Sequence, residues 1–289
     1  MSIEPNTQEL TRAQRRQKGK SLREKAPRTS HGDWQPAADR PNPLDLLQAQ
    51  DEGRLQRLLP IKYGRMLASP FAFLRGSAVV MAADLAHTPT SGLQVILCGD
   101  AHLSNFGFFA SPERRLVFDL NDFDEAFPGP WEWDVKRLAA SAAVAGRDNG
   151  SNDKTNRSLA QEAVRAYRRA MARFSEMRTL DVWYYYVDAD ALPDVFAERS
   201  SKKTAKKAQR LLDKARSKTQ EQTLAKLTLI DSDGRRQIRH DPPLLIPLRA
   251  EKLTQFVAEE DLVVISETAV EDVWQKYLGS LDDEKRFLL

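Results

Sequence analysis

Two short stretches of the chain concentrate side chains that can do chemistry. Cys98-Gly-Asp-Ala-His-Leu-Ser-Asn105 carries Asp100, His102 and Asn105 directly after an apolar run. Asp119-Leu-Asn-Asp-Phe-Asp-Glu125 carries Asp119, Asp122 and Asp124 after a second apolar run. Carboxylates with a neighbouring carboxamide are hard oxygen donors, the set Mg²⁺ favours when it also holds phosphate. Crowded together without a cation, such carboxylates repel one another and resist ionising. The residue types therefore point to a divalent-metal site. Taken alone, Gly-Asp-x-His is a weak signal, because Gly-Asp makes turns and a single His often only satisfies a hydrogen bond. The second acidic stretch is what gives it weight.

Such side chains need elements to hold them. Residues 93–98 read as a short apolar strand, and residues 106–109 and 116–120 as two strands joined by the turn Ala110-Ser-Pro-Glu-Arg. A loop over residues 122–130 follows, then helices over residues 132–146 and 152–177. Upstream, Pro43 opens a helix, and Ser69-Pro70 caps a second that runs to Leu85, is apolar on most of its surface and should be buried. Arg75 is an odd charge within it, expected either to pair with a site carboxylate or to support structure alone. Downstream come helices in series over residues 181–228, a hairpin around Asp231-Ser-Asp-Gly234, a break at Asp241-Pro-Pro, and a helix near residues 267–278. Residues 1–41, polar and basic with no apolar periodicity, read as a disordered arm. The expected fold is α+β and mostly helical, with the remaining residues 42–289 forming the body. A boundary near 180–200 is compatible with the pattern but not required by it.

The loop Gly99-Asp-Ala-His-Leu-Ser-Asn105 resembles the catalytic loop of the aminoglycoside phosphotransferase and choline kinase branch of the protein-kinase-like superfamily, where it usually reads H-G-D-x-H-x-x-N. Asp122 resembles the metal-binding Asp of that superfamily's second motif. Asp134, in Trp-Glu-Trp-Asp-Val, resembles the helix-start Asp that braces the loop. Residues 63–149 are more closely similar to the DUF2252 family of bacterial proteins, and the likeness extends through Asp241-Pro-Pro. The resemblance implies a kinase-like C-terminal lobe with a small β-hairpin region around the site. It implies Mg²⁺ (or Mn²⁺)-dependent transfer of phosphoryl from a nucleotide, ATP as donor, to a small-molecule hydroxyl. Asp100 would then orient or deprotonate that hydroxyl, and His102 would donate to a phosphate or to Asp100. Asn105 and Asp122, with Asp124 as a further ligand, would hold the metal, while Asp134 and Arg75 would support the site.

This sequence also departs from the pattern. Cys98 replaces the first His of the loop, and the thirteen glycines never form a G-x-G that could cover phosphates. The resemblance implies that the nucleotide-binding lobe follows in a permuted order, so the chain is expected to stop short of it. Two rival readings stay open: a kinase-like pseudoenzyme or interaction module, and a metal-dependent phosphoesterase. The second suffers from the presence of only four histidines, at 31, 87, 102 and 240. The basic stretch 199–218 lacks interleaved aromatics, so it reads as a solvated face and nucleic acid is not expected. The aromatic run Trp183-Tyr-Tyr-Tyr186 reads as core or a packing ridge. A single cysteine suits a reducing cytoplasm. The sequence also lacks a signal-peptide core and any apolar run long enough for a membrane span. A cytoplasmic protein is therefore expected.

Overall fold

The computed structural model of the chain describes residues 10–32, 34–193, 202–217, 220–241, 245, 247, 267–281 and 286. Residues 1–9 of the expected arm, both ends of the basic stretch 199–218 and the prolines after Asp241 lie outside the described residues. The chain divides into two units, Met1–Lys202 and Lys203–Leu289, at the end of the stretch where a boundary was compatible. The elements are mostly helical with small antiparallel sheets. Among the described residues no helix is long and apolar enough to cross a membrane.

The first unit begins where the sequence suggests an arm without structure. Residues 12–25 instead form helix α1 (Arg12–Lys25), started by a capping box in which Thr11 and Gln14 satisfy each other's backbone N–H. Ala26 behind it is buried, and Arg40 makes a two-pronged ion pair with Asp84. A polar stretch with a good cap and tertiary anchors needs no apolar face of its own. Helix α2 (Pro43–Asp51) is capped by Asn42, and α3 (Leu59–Met66) follows. The single helix expected over 70–85 is two: α4 (Pro70–Arg75), with Ser69 accepting from the Ala72 N–H as a cap should, and α5 (Ala78–Ala86). Gly76 is the C-cap that ends the first of them, packed so close to Met66 that a Cβ there would sit 2.7 Å from its Cγ and Sδ. Most of the pair is half-buried; only Ser77 and Leu85 are fully so.

Four short strands then create the site. Strand β1 (Gln94–Leu97) pairs antiparallel with β4 (Phe127–Pro130), and β2 (Phe106–Ala110) with β3 (Leu116–Leu120). Phe118 packs on Phe106 and Phe108 across the second pair. Strand β4 falls within the loop expected over 122–130, hidden by its Phe-Pro-Gly-Pro composition, which is rare inside sheets and tolerated at an edge. The loop from β1 to β2 and the loop from β3 to β4 both bridge the same two sheets, so they must run side by side.

Helix α6 (Glu132–Asp148) and helix α7 (Asp153–Phe174) pack together through a short turn. Asn152 caps α7 by accepting from the Thr155 N–H at 2.9 Å. Trp131 stacks on Tyr167 at 5.7 Å, and Gly146 lets the helices close where a Cβ would meet Asn156 Oδ1 at 2.2 Å. After α8 (Thr179–Trp183) the aromatic run is not core: Trp183 is 81% and Tyr184 72% exposed. Only its later members pack, Tyr185 on Phe174 and Tyr186 against Arg115.

The second unit holds most of α9 (Lys202–Ser217), then α10 (Gln220–Leu227), the hairpin β5 (Thr228–Ile230) and β6 (Arg236–Ile238), and α11 (Glu267–Ser280). Leu212 is buried while Lys203, Lys206, Lys207 and Arg210 are exposed, the solvated face expected of the basic stretch. Replacing the α7 cap, Asn152→Ala, should lower stability by about 1 kcal/mol, read from urea unfolding of the full chain. An unchanged midpoint would mean the turn, rather than the cap, starts that helix.

Candidate functional site

The β1–β2 loop is wound tightly by its own backbone. His102 N–H donates to the Asp100 carbonyl at 2.7 Å and Asn105 N–H to the His102 carbonyl at 2.9 Å. The Asn105 side-chain amide donates to the Asp100 carbonyl at 2.7 Å, which orients its Nδ2 inward and leaves Oδ1 to accept. Gly99 is required twice over. Its φ is +81°, and a Cβ would lie 2.0 Å from the Glu125 carbonyl oxygen, so only a residue without a side chain fits. The two polar loops therefore touch at Gly99, and again where Asn121 N–H donates to the Asn105 carbonyl at 2.8 Å.

One face of α6 holds this loop from behind. Asp134 accepts the backbone N–H of Cys98 and of Gly99, at 2.8 and 3.1 Å on its two oxygens. Ser141, fully buried, accepts the Leu103 N–H at 3.1 Å. Between them Arg137, only 3% exposed, donates from Nε and Nη2 to Asp100 Oδ1 at 2.8 and 2.6 Å. The same Nη2 also reaches the Leu74 carbonyl at 2.5 Å. Spaced i, i+3 and i+7, these three side chains lie along one side of the helix. Burial pushes the Asp134 carboxyl up, and its two backbone donors pull it back down.

Arg137 is the residue that sequence reasoning missed. The expected cation was Arg75, which is exposed; it lies near enough to His102 to influence its charge and, among the described residues, makes no ion pair with a site carboxylate. Arg137 follows Lys136 in a helix whose charges look ordinary. Its signal was its place three residues after Asp134.

His102 is buried at 3% exposure, with Nε2 3.4 Å from Asp100 Oδ2 and Phe71 packed edge-on at 6.3 Å. Burial first, then Arg137 and Arg75, hold its pKa below the usual value, so it is neutral. Its other ring nitrogen, Nδ1, is buried and has no hydrogen-bond partner among the described residues, so of the two partners expected for His102 the one within reach here is Asp100. Cys98, also buried, donates its thiol to the Asp122 carbonyl at 3.5 Å, tying the loops a third time. Burial followed by the charge of Asp134 pushes that thiol up to about 11.

Asp122 and Asp124 sit on the exposed β3–β4 loop, where Asp122 Oδ1 accepts the Asp124 N–H at 3.3 Å. The protein around the Asp124 carboxyl, then the facing Asp122, then the charge of Asp100 push its pKa up. Asp119 is apart from this group: it is exposed on β3 and accepts the Leu120 N–H. Among the described residues no three His, Cys, Asp or Glu side chains gather as metal ligands. Two crowded carboxylates that also feel the charge of Asp100 nevertheless fit a hard cation that keeps several waters and shares phosphate oxygens.

The Arg137–Asp100 pair carries a stability prediction. Arg137→Met strands a buried carboxylate and should cost about 3–5 kcal/mol in urea unfolding. Adding Asp100→Asn should recover part of that loss. Strictly additive single effects would show that the two groups are not coupled.

A family model described as an uncharacterized protein conserved in bacteria (DUF2252) matches residues 54–289. No curated protein and no solved structure gives a significant match.

Proposed function

The chain belongs to the DUF2252 family, and for it we propose a kinase-like phosphotransferase: Mg²⁺-dependent transfer of phosphoryl from a nucleotide to a small-molecule hydroxyl. The observation that carries this reading is the contact of the two polar loops. It brings the loop of Asp100 and Asn105 against the loop of Asp122 and Asp124, where burial first and then Asp122 and Asp100 push the Asp124 carboxyl up. A site that crowds carboxylates on an exposed loop is suited to a cation it does not itself supply.

In this reading Asn105 Oδ1, Asp122 and Asp124 would hold the metal, which when bound supplies positive charge to the phosphate oxygens of the nucleotide. Asp100 faces the acceptor hydroxyl with Oδ2, since Oδ1 is taken up by Arg137. A carboxylate clamped by a guanidinium is a poor base, so its work is chiefly orientation. As the new O–P bond forms, the bond to the nucleotide's bridging oxygen breaks, the nucleotide remnant leaves with that electron pair, and the hydroxyl proton passes by way of Asp100 Oδ2 to solvent. His102 keeps Asp100 in place as a positioning residue. The nucleotide's cover would come from a lobe other than the elements described, in keeping with the lack of a G-x-G.

The Arg137 clamp also favours a second reading, a pseudoenzyme that binds nucleotide and metal without turnover. A two-metal phosphoesterase has less support, since it needs the convergent ligand group not found among the described residues.

Calorimetric titration of the full chain with Mg-ATP tests the proposal. Binding should require Mg²⁺, and Asp122→Ala should weaken it at least about tenfold, or about 1.4 kcal/mol. Asp100→Asn leaves Arg137 without its counter-charge and lowers stability, but at temperatures where it remains folded it should still bind Mg-ATP and should abolish nucleotide consumption in a hydroxyl-substrate screen. Turnover that survives Asp100→Asn, or Mg-ATP binding that Asp122→Ala leaves unchanged, would sink the phosphotransferase. A folded chain that ignores Mg-ATP would mean a lobe missing its nucleotide cover or a pseudoenzyme. Mg²⁺-dependent binding with no turnover across the screen would select the pseudoenzyme.

A further inference from the structure

A cavity of about 430 Å³ lies between α5, Lys136 of α6 and the N-terminal segment that carries His31, Trp34 and Arg40. Its volume is in the range that holds a small organic molecule. Trp34, Ala37, Pro41, Met81, Leu85 and Pro89 give it largely apolar walls. Arg40 is neutralised in place by Asp84 through bonds of 2.6 and 2.9 Å, its guanidinium 5.8 Å from the centre of the Trp34 ring.

Lys136 and His31 are different. The Lys136 ammonium donates to Thr88 Oγ1 at 2.9 Å, which leaves two of its three protons for other partners. The charge acting on it is that of Glu132, and among the described residues Lys136 makes no ion pair. His31 Nδ1 is buried and has no hydrogen-bond partner among the described residues. Burial, then the charge of Lys136, holds this imidazole below its usual pKa and so neutral. Glu132 Oε2 is likewise buried without a hydrogen-bond partner among the described residues. Buried polar atoms in native proteins are nearly always satisfied, so an apolar cavity with spare polar atoms at one end is missing something. Two acids limit what that is: Asp84 lines the cavity, and Glu132 acts on both Lys136 and His31. One unpaired cation flanked by carboxylates accepts a monoanion and repels a dianion.

We propose that this cavity binds a small monocarboxylic acid with a flat apolar body. Lys136 and His31 hold the carboxylate, and Trp34, Met81 and Leu85 enclose the body. The inference stands apart from the phosphotransferase reading, since none of these residues belongs to the two polar loops. It reaches that site through Met81, whose Sδ lies 3.7 Å from Arg137 Nη1.

The full chain titrated with 2-naphthoate, 2-naphthamide and 2-naphthyl phosphate, by calorimetry and tryptophan emission, tests it without any variant. Naphthoate should saturate a single site, with the neutral amide and the phosphate each at least about tenfold weaker. Lys136→Met should lose naphthoate binding by a similar factor, and Ala37→Trp, which fills the space and leaves Lys136 intact, should block it. Absence of saturable naphthoate binding would overturn the proposal. So would an amide that binds as well as the acid, a phosphate that binds better, or unchanged affinity in both variants.

Discussion

The buried contact between Arg137 and Asp100 is the constraint on which the rest of the site rests. The Asp100 side chain is only 14% exposed, and the guanidinium that faces it is itself almost wholly enclosed. A carboxylate so placed must be compensated. Neither charge tolerates loss of the other. Arg137 also donates to the Leu74 carbonyl, so the last turn of α4 is fixed to α6 by the same group that fixes the loop. With Asp134 and Ser141 on either side, α6 presents a short ladder of polar anchors, each satisfying a backbone or side-chain atom of one loop. The sheets bring the loops together; the helix face decides their conformation.

The charges fall into two groups with different needs. Asp100 and Asp134 are answered from within, by a guanidinium and by backbone N–H groups. Asp122 and Asp124 accept backbone N–H groups but, among the described residues, face no cation; burial first, then the neighbouring Asp122 and Asp100, push the Asp124 carboxyl up. A neutral His102 adds nothing to offset it. The molecule thus places its unanswered acidity on an exposed loop, where an incoming cation meets little desolvation cost.

Much of this could be read from the sequence, and the reasons for the gaps are physical. Strands β1, β2 and β3 and helices α6 and α7 announce themselves through apolar runs, helical spacing and the Asn152 cap, as α4 does through Ser69. The crowding of Asp122 and Asp124 was legible as repulsion between neighbours in the chain. Strand β4 was not, because its pairing is imposed by β1 against a composition that argues for a turn. Helix α1 escaped because its support is a cap and an ion pair from Arg12 to Glu176 rather than an apolar stripe, although Thr11 and Gln14 were there to be read. The split of α4 from α5 falls at Gly76, a helix-ending residue that the apolar run on either side of it masked. Arg137 was hidden because a buried arginine and a solvated one look alike until the helix is docked.

The same strand that escaped notice shields the site from a hazard. Strands β1 and β4 form a pair with no third strand among the described residues, and Ile96 and Phe127 on it are 73% and 68% exposed. An open apolar edge of this kind invites pairing with another chain. Successive residues of a strand aim their N–H groups to opposite sides, and Pro128 and Pro130 have none to aim. The N–H groups that face β1 belong to Phe127 and Gly129, so the outer rim of β4 offers carbonyls and no donors at all. A stray strand approaching that rim finds half of its ladder missing. The two prolines thus act as gatekeepers against aggregation at the point where the molecule's acidic loop is anchored.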